Sequence, residues 1–184
     1  MINILGFSGS LRKGSYNRLL LKNCLELLPP GAALDIFDLE GFPAFNQDFE
    51  NAPPPIVAAF KQKIRAADAI LIVTPEANYS VPGVLKNAMD WASRPYGDNS
   101  FKGKDVAIMS ASIGMLGGAR AQYHLRQSFV FLEMHAVNMP EVFLGLAAEK
   151  FDPSGALKDD KARELMRALL KTLVEQARKS LGKN

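Results

Sequence analysis

The five residues Ala69–Val73 read AILIV, and no other stretch limits the possible folds of this chain so tightly. Three of the five are β-branched, none is polar, and no alternation would leave the strand a wet face. A strand that is apolar on both sides must be covered on both sides, as in a parallel sheet flanked by helices. Shorter apolar runs predict a first strand at Ile2–Phe7, a second at Leu34–Leu39, a fourth at Val106–Ser110 and a short fifth at Ala136–Met139. Helical spacing fills the gaps: Asn17–Leu28, Ile56–Ala67, Gly83–Ser93, Gly117–Leu132 and Asp159–Leu181. Pro29-Pro30-Gly31 stops the first of these. Glu40 to Pro55, punctuated by Pro and Gly and holding Phe42, Phe45 and Phe49, predicts a packed surface loop. Strands alternating with helices predict an α/β, three-layer, doubly wound fold with a five-stranded parallel sheet. The 184 residues suit a single domain spanning 1–184.

Composition narrows the function classes. One cysteine, Cys24 on the apolar stripe of the first helix, excludes an internal disulfide, and with two histidines no metal site is expected. A reducing cytoplasm is the expected compartment. No apolar stretch approaches the roughly 20 residues that cross a bilayer, and Met1–Phe7 runs straight into polar loop, as expected of a chain without a secretory leader. The net charge of +3 is unevenly spread. Of 22 Lys and Arg, 8 follow Ala156, against 4 of the 19 acidic residues, so the excess sits on the terminal helix. A solvated helix face is expected there, with no membrane and no nucleic acid as partner.

Doubly wound sheets bind ligands beyond the carboxyl ends of their strands. The loops after the first, third and fourth strands are therefore the candidate site. The first, GFSGSLRKGSYN (Gly6–Asn17), lacks the Gly-x4-Gly-Lys-Ser/Thr of a triphosphate loop, because Lys13 precedes Gly14 instead of following it. Gly6, Gly9 and Gly14 are also wrongly spaced for the dinucleotide fingerprint, although Asp38 stands near the place of its ribose-binding acid. What remains is a nest of hydroxyls and amides at a helix N-terminus, with Ser8, Ser10, Ser15 and Asn17 as donors and Arg12 as a cation. That set suits one terminal monophosphate; the alternative is a serine-capped helix start beside an incidental arginine.

Three blocks carry a resemblance: GSLRKGSYN (Gly9–Asn17), TPEANYSVPGVLKNAMDW (Thr74–Trp91) and GGARAQYHLRQ (Gly117–Gln127). Together and in this order they resemble the NADPH-dependent FMN reductase family, which includes bacterial quinone and chromate reductases. The resemblance implies a flavodoxin-like fold with strand order 2-1-3-4-5. It assigns the FMN phosphate to Ser10, Arg12, Ser15, Tyr16 and Asn17. The flavin ring falls to Pro75, Glu76, Ala77, Asn78 and Tyr79, and to the loop around Ser112 and Gly114. The chain departs from the family at Ala77, where a tyrosine is usual, so a more open pocket is expected if that tyrosine shields the flavin.

The residues in those blocks suit the chemistry. Asn78 can satisfy donor and acceptor edges of a heterocycle with one side chain. The glycines of Ser112–Gly118 let backbone N–H groups approach a ligand, where they would stabilise negative charge appearing on reduction. Glu76 is expected to position rather than to act as acid or base. Arg120 is expected to face a nicotinamide nucleotide phosphate or a partner subunit, and His124 a surface or interface.

The expected function is an FMN-dependent oxidoreductase. NADPH or NADH reduces the flavin, a quinone or other small electron acceptor then takes the electrons at the same face, and no protein side chain is catalytic. The resemblance also implies a homodimer or homotetramer. Rival readings are an electron carrier of the flavodoxin type, which the +3 charge disfavours, and a flavin-binding redox sensor without efficient NAD(P)H turnover.

Overall fold

The computed structural model describes residues 1–182. Its strands are β1 (Ile2–Ser8), β2 (Ala32–Phe37), β3 (Ala69–Val73), β4 (Asp105–Ala111), β5 (His135–Ala136) and β6 (Val142–Leu144). The helices are α1 (Tyr16–Asn23), α2 (Pro55–Ala66), α3 (Gly83–Ala92), α4 (Ala119–Leu132) and α5 (Asp160–Ser180). All strand pairs are parallel, in the order β2-β1-β3-β4-β5.

The central strand behaves as its composition demands. Every residue of β3 is fully buried, and its side chains alternate between two separate cores. Ala69, Leu71 and Val73 meet α1 and α5 through Leu20, Leu21, Leu170 and Leu173. Ile70 and Ile72 meet α2, α3 and α4 through Phe60, Leu85 and Leu125. Burying each large aliphatic contributes about 1.5–3 kcal/mol, so two packed faces hold this strand more firmly than hydrogen bonds alone could. The result is the expected three-layer arrangement.

Two strands differ from expectation: the second runs Ala32–Phe37 instead of Leu34–Leu39, and the edge beyond β4 is divided. The spacing predicts the fifth at Ala136–Met139, but that edge of β4 is shared by two short segments. Asp105 and Val106 pair with His135 and Ala136, whereas Met109, Ser110 and Ala111 pair with Val142, Phe143 and Leu144. Pro140 lies between them and has no N–H for the ladder, which interrupts what would otherwise be one strand. The first helix also ends earlier than expected, passing into a 3₁₀ turn over Cys24–Glu26.

The Glu40–Pro55 segment is pinned to α3 by polar and aromatic contacts. The Asn87 side chain accepts from Phe45 N (2.7 Å) and donates to Pro43 O (2.8 Å), while Trp91 Nε1 donates to the same carbonyl (3.0 Å). Phe45 packs edge-on against Trp91 and Phe42 against Phe60, but Phe49 is exposed. On α5, Met166, Leu169, Leu170, Leu173 and Val174 face the core, leaving the basic residues Lys161, Arg167, Lys171 and Lys179 in solvent. Among the described residues, no helix is long and apolar enough to cross a membrane.

Candidate functional site

The loops after β1, β3 and β4 meet at the carboxyl end of the sheet and are joined by specific contacts. Gly9 continues the β1 ladder by donating to Val73 O (2.9 Å), and a Cβ there would stand 2.7 Å from Thr74 Oγ1. Only glycine lets the first loop pass so close to the third strand. Ser15 caps α1: its Oγ accepts from Asn17 N (3.2 Å) and Arg18 N (3.4 Å), leaving its own proton to donate. Between Gly9 and that cap, the backbone N–H groups of Ser10 to Gly14 have no partner among the described residues. Arg12 projects into solvent without an ion pair in the same set. Free amides, a helix N-terminus, hydroxyls and an uncompensated guanidinium together form an anion cradle.

Two of the residues assigned to the phosphate do more than line this cradle. Asn17 is buried, and its carboxamide bridges to the end of β4: Nδ2 donates to Ala111 O (2.9 Å) and Oδ1 accepts from Ala111 N (2.8 Å). The oxygen and one of the two amide protons thereby tie the first loop to the third, leaving one amide proton uncommitted. Tyr16 stacks on Phe151, with ring centroids 5.7 Å apart, and closes the back of the loop.

After β3, Thr74 Oγ1 donates to Pro75 O, and the chain makes a tight hairpin. Ala77 and Ser80 exchange both backbone hydrogen bonds (3.0 and 2.9 Å), placing Asn78 (φ 48°) and Tyr79 (φ 66°) at the tip. Two consecutive left-handed residues mark a two-residue turn of the mirror-image type, which strains a bulky residue such as Tyr79 by about 1–2 kcal/mol. Contacts with α4 hold it. The Glu76 carboxylate accepts from Arg120 N (3.2 Å) in the first turn of α4 and forms an ion pair with the Arg120 guanidinium. The Arg120 Cζ sits over the Tyr79 ring, 3.5 Å from its centroid. The hydrogen-bonded Glu76 raises the Arg120 pKa further above its ordinary value. His124 Nδ1 reaches Ser80 Oγ at 2.9 Å. Arg120, expected to face a nucleotide phosphate or another subunit, is thus engaged within its own chain. Glu76 faces α4 and serves the hairpin, while Ala77 and the tip residues Asn78 and Tyr79 are exposed.

The loop after β4 is held from behind by β6. Ser112 N donates to Leu144 O (2.9 Å) and Leu146 N to Gly114 O (3.2 Å). A Cβ on Gly145 would stand 2.4 Å from Met115 O, so this strand can approach the loop only as glycine. Ser112 Oγ accepts from Gly114 N (3.1 Å). The two residues expected to contact the ring therefore bond to each other and shape the turn. The N–H groups that remain without a partner among the described residues belong to their neighbours Ile113, Met115 and Leu116.

Sequence reasoning missed Gln122. It is fully buried, donating from Nε2 to Ser110 Oγ (2.7 Å) and Val142 O (2.9 Å), and so fastens α4 to β4 and β6 beneath the loop. Its signal was present: Gln122, Leu125, Phe129 and Leu132 share one helical stripe, and a polar side chain on an apolar stripe needs internal partners.

An anion cradle at the switch of strand order, with two further loops that can flank a planar ring, defines a flavodoxin-like nucleotide-binding protein. The chain belongs to the NADPH-dependent FMN reductase family, whose model matches residues 2–149. It is 51% identical over 182 residues to an NAD(P)H-dependent FMN reductase of Pseudomonas aeruginosa, covering 98% of each chain. A quinone reductase of Pseudomonas putida is 48% identical over 163 residues, covering 88% of this chain and 87% of that one. Among solved structures, FerB, a flavoenzyme NAD(P)H:(acceptor) oxidoreductase from Paracoccus denitrificans, superposes with a TM-score of 0.90 at 33% identity, covering 98% and 99% of the two chains.

The donor set fits FMN. Free amides and Arg12 suit a phosphate dianion, and the two loops beyond offer exposed backbone and side-chain donors to a heterocycle. Among the described residues, no group of three or more His, Cys, Asp or Glu side chains could hold a metal.

Proposed function

We propose that this protein is a flavoenzyme that moves reducing equivalents from NADPH or NADH through FMN to a small acceptor, with quinones as the first class. The observation that carries the reading is the cradle of unpartnered N–H groups from Ser10 to Gly14, beside Arg12 and joined through Asn17 to the β4 loop. Ser10, Arg12 and Ser15 hold the phosphate, Tyr16 backs the loop, and Asn17 fixes it in place. Pro75 to Tyr79, together with the loop shaped by Ser112 and Gly114, flank the ring. FMN, when bound, supplies the redox chemistry, alternately taking electrons from the nicotinamide and yielding them to the acceptor. The protein's own part is to orient and to set the local field. The free N–H groups of Ile113, Met115 and Leu116 present positive dipoles to whatever negative charge develops beside them. Glu76 and Arg120 neutralise each other and hold the hairpin, so neither is needed as a proton donor.

The reading extends to a single FMN-binding domain over residues 1–184, acting in the cytoplasm as a homodimer or homotetramer. Support for assembly comes from α4, where Val130 (82% exposed) and Phe131 (70% exposed) present large apolar side chains to solvent. The test is a visible spectrum of the purified protein, followed by steady-state NAD(P)H oxidation with a benzoquinone. A yellow protein with parallel double-reciprocal lines is expected. A colourless protein that takes up no FMN contradicts the reading. A yellow protein that oxidises neither coenzyme is instead an electron carrier or a redox sensor.

A further inference from the structure

Gln122, fully buried beneath the β4 loop, carries a cost that stability does not explain. Val142 O can only accept, so the carboxamide must turn its nitrogen toward β6, and the same Nε2 donates to Ser110 Oγ. That orientation uses both amide protons and leaves Oε1 buried without a hydrogen-bond partner among the described residues. An apolar side chain of the same shape would avoid the orphaned oxygen, so burial alone does not account for a glutamine here. Its two acceptors supply the reason, because they belong to the two supports on which the β4 loop rests. A Cβ on Gly118 would stand 2.8 Å from Ser110 Cβ, and one on Gly117 would stand 2.7 Å from the carbonyl carbon of Phe143. Ser110 and Phe143 are partners across the β4–β6 pair, and Val142 is the next residue of β6. One nitrogen thus joins the strand beneath the loop's return to the strand behind it.

We propose that Gln122 is a positioning residue for the redox step: by tying Ser110 to Val142 it fixes the N–H groups of Ile113, Met115 and Leu116, and so makes the site favour reduced over oxidised FMN. The proposal rests on the flavin reading above. Reduction adds negative charge to the ring, and N–H dipoles stabilise that charge most when they are already in place and cannot swing away. These three N–H groups have no partner among the described residues, so their direction is set by the supports on which the loop lies. Without the tie, β6 and the end of β4 can part, and the loop follows them. The oxidised ring lacks the added charge and is less sensitive to that movement. The orphaned Oε1 is then the cost of having a double donor at this point.

The test is a redox titration of FMN-loaded wild type, Gln122→Leu and Ser110→Ala. Leucine fills the space but ties nothing, and alanine removes one of the two acceptors. Gln122→Leu is expected to lose at least tenfold in its preference for reduced over oxidised FMN, read as a fall of about 30 mV or more in the two-electron midpoint potential. Ser110→Ala should shift the potential in the same direction by less, and the double variant should fall no further than Gln122→Leu, because both substitutions break one tie. In the flavin-free variants, hydrogen exchange at the amides of Ser112 and Leu146, which bond between the loop and the β6 segment, should accelerate while β3 stays protected. A variant that unfolds at lower denaturant yet keeps the wild-type potential shows a purely structural glutamine and overturns the proposal, as does an additive loss in the double variant. Should Gln122→Leu not fold, an unchanged potential in Ser110→Ala overturns it as well. If the wild type takes up no FMN, the functional reading fails and this proposal with it, whereas FMN uptake with unchanged potentials defeats this proposal alone.

Discussion

Replacing Asn17 with alanine separates two roles for one residue. The resemblance assigns Asn17 to the FMN phosphate, whereas the structure spends both ends of its carboxamide on the backbone of Ala111. Asn17 is 3% exposed and Ala111 2%, so truncation leaves one N–H and one C=O unsatisfied out of reach of solvent. Each orphaned group costs about 1–3 kcal/mol, for a loss of about 2–6 kcal/mol in the flavin-free protein. For a chain this long, about 3 kcal/mol corresponds to a Tm drop of about 6–12 °C. Urea unfolding without FMN is the right assay, because bound ligand adds its own stabilisation. Trp91, buried in α3, and far-UV circular dichroism report the transition together. The companion Asn17→Asp keeps an acceptor for Ala111 N–H but sets a carboxylate against Ala111 O. Its carboxyl pKa is therefore raised in the folded state, so the variant recovers stability at acidic pH and loses it as pH rises through that value. A change of less than about 1 kcal/mol in the alanine variant, with an unaltered denaturant slope and a large loss of FMN affinity, would refute the strap and make Asn17 a direct phosphate ligand.

Three further outcomes follow from the same contacts. Glu76→Gln weakens the link between the hairpin and α4, so hydrogen exchange at the paired amides of Ala77 and Ser80 should accelerate while β3 stays protected; unchanged uptake there contradicts the clamp. Gly145→Ala forces a Cβ against Met115 O and should destabilise by about 1–3 kcal/mol while weakening FMN binding, whereas wild-type stability would show that the β4 loop is not held from behind. Burial pushes the Cys24 thiol up to about 12, so at pH 8 a disulfide reagent should label it only as the protein unfolds, and rapid labelling of the native state would be wrong for this packing.

The legible parts of the fold were those governed by burial alone. Ala69–Val73 could be bounded to the residue because a strand covered on both faces has only one composition available to it. The edge beside β4 could not, since β5 and β6 are two and three residues long and their placement depends on a neighbour already in register. The site followed the same division. The loops and residue types were readable, because an anion cradle needs free amides, hydroxyls and a cation at a helix start. Which atoms face the ligand was not. Asn17 and Glu76 are present where the motifs place them, yet their side chains bond to Ala111 and Arg120, partners that only the folded chain brings close, while Ser112 turns to its near neighbour Gly114. Gly145, distant from every motif, sets the depth of the β4 loop by having no side chain.

The central claim is that the first loop anchors a phosphate. Equilibrium titration of the flavin-free protein with FMN and with riboflavin, which differ only in that phosphate, tests it most directly. One or two charge-assisted contacts predict FMN binding tighter by about a hundredfold, or about 2.7 kcal/mol. Most of that gap should vanish in Arg12→Ala/Ser15→Ala. Equal affinity for the two flavins, or a gap that survives the double substitution, would contradict the account.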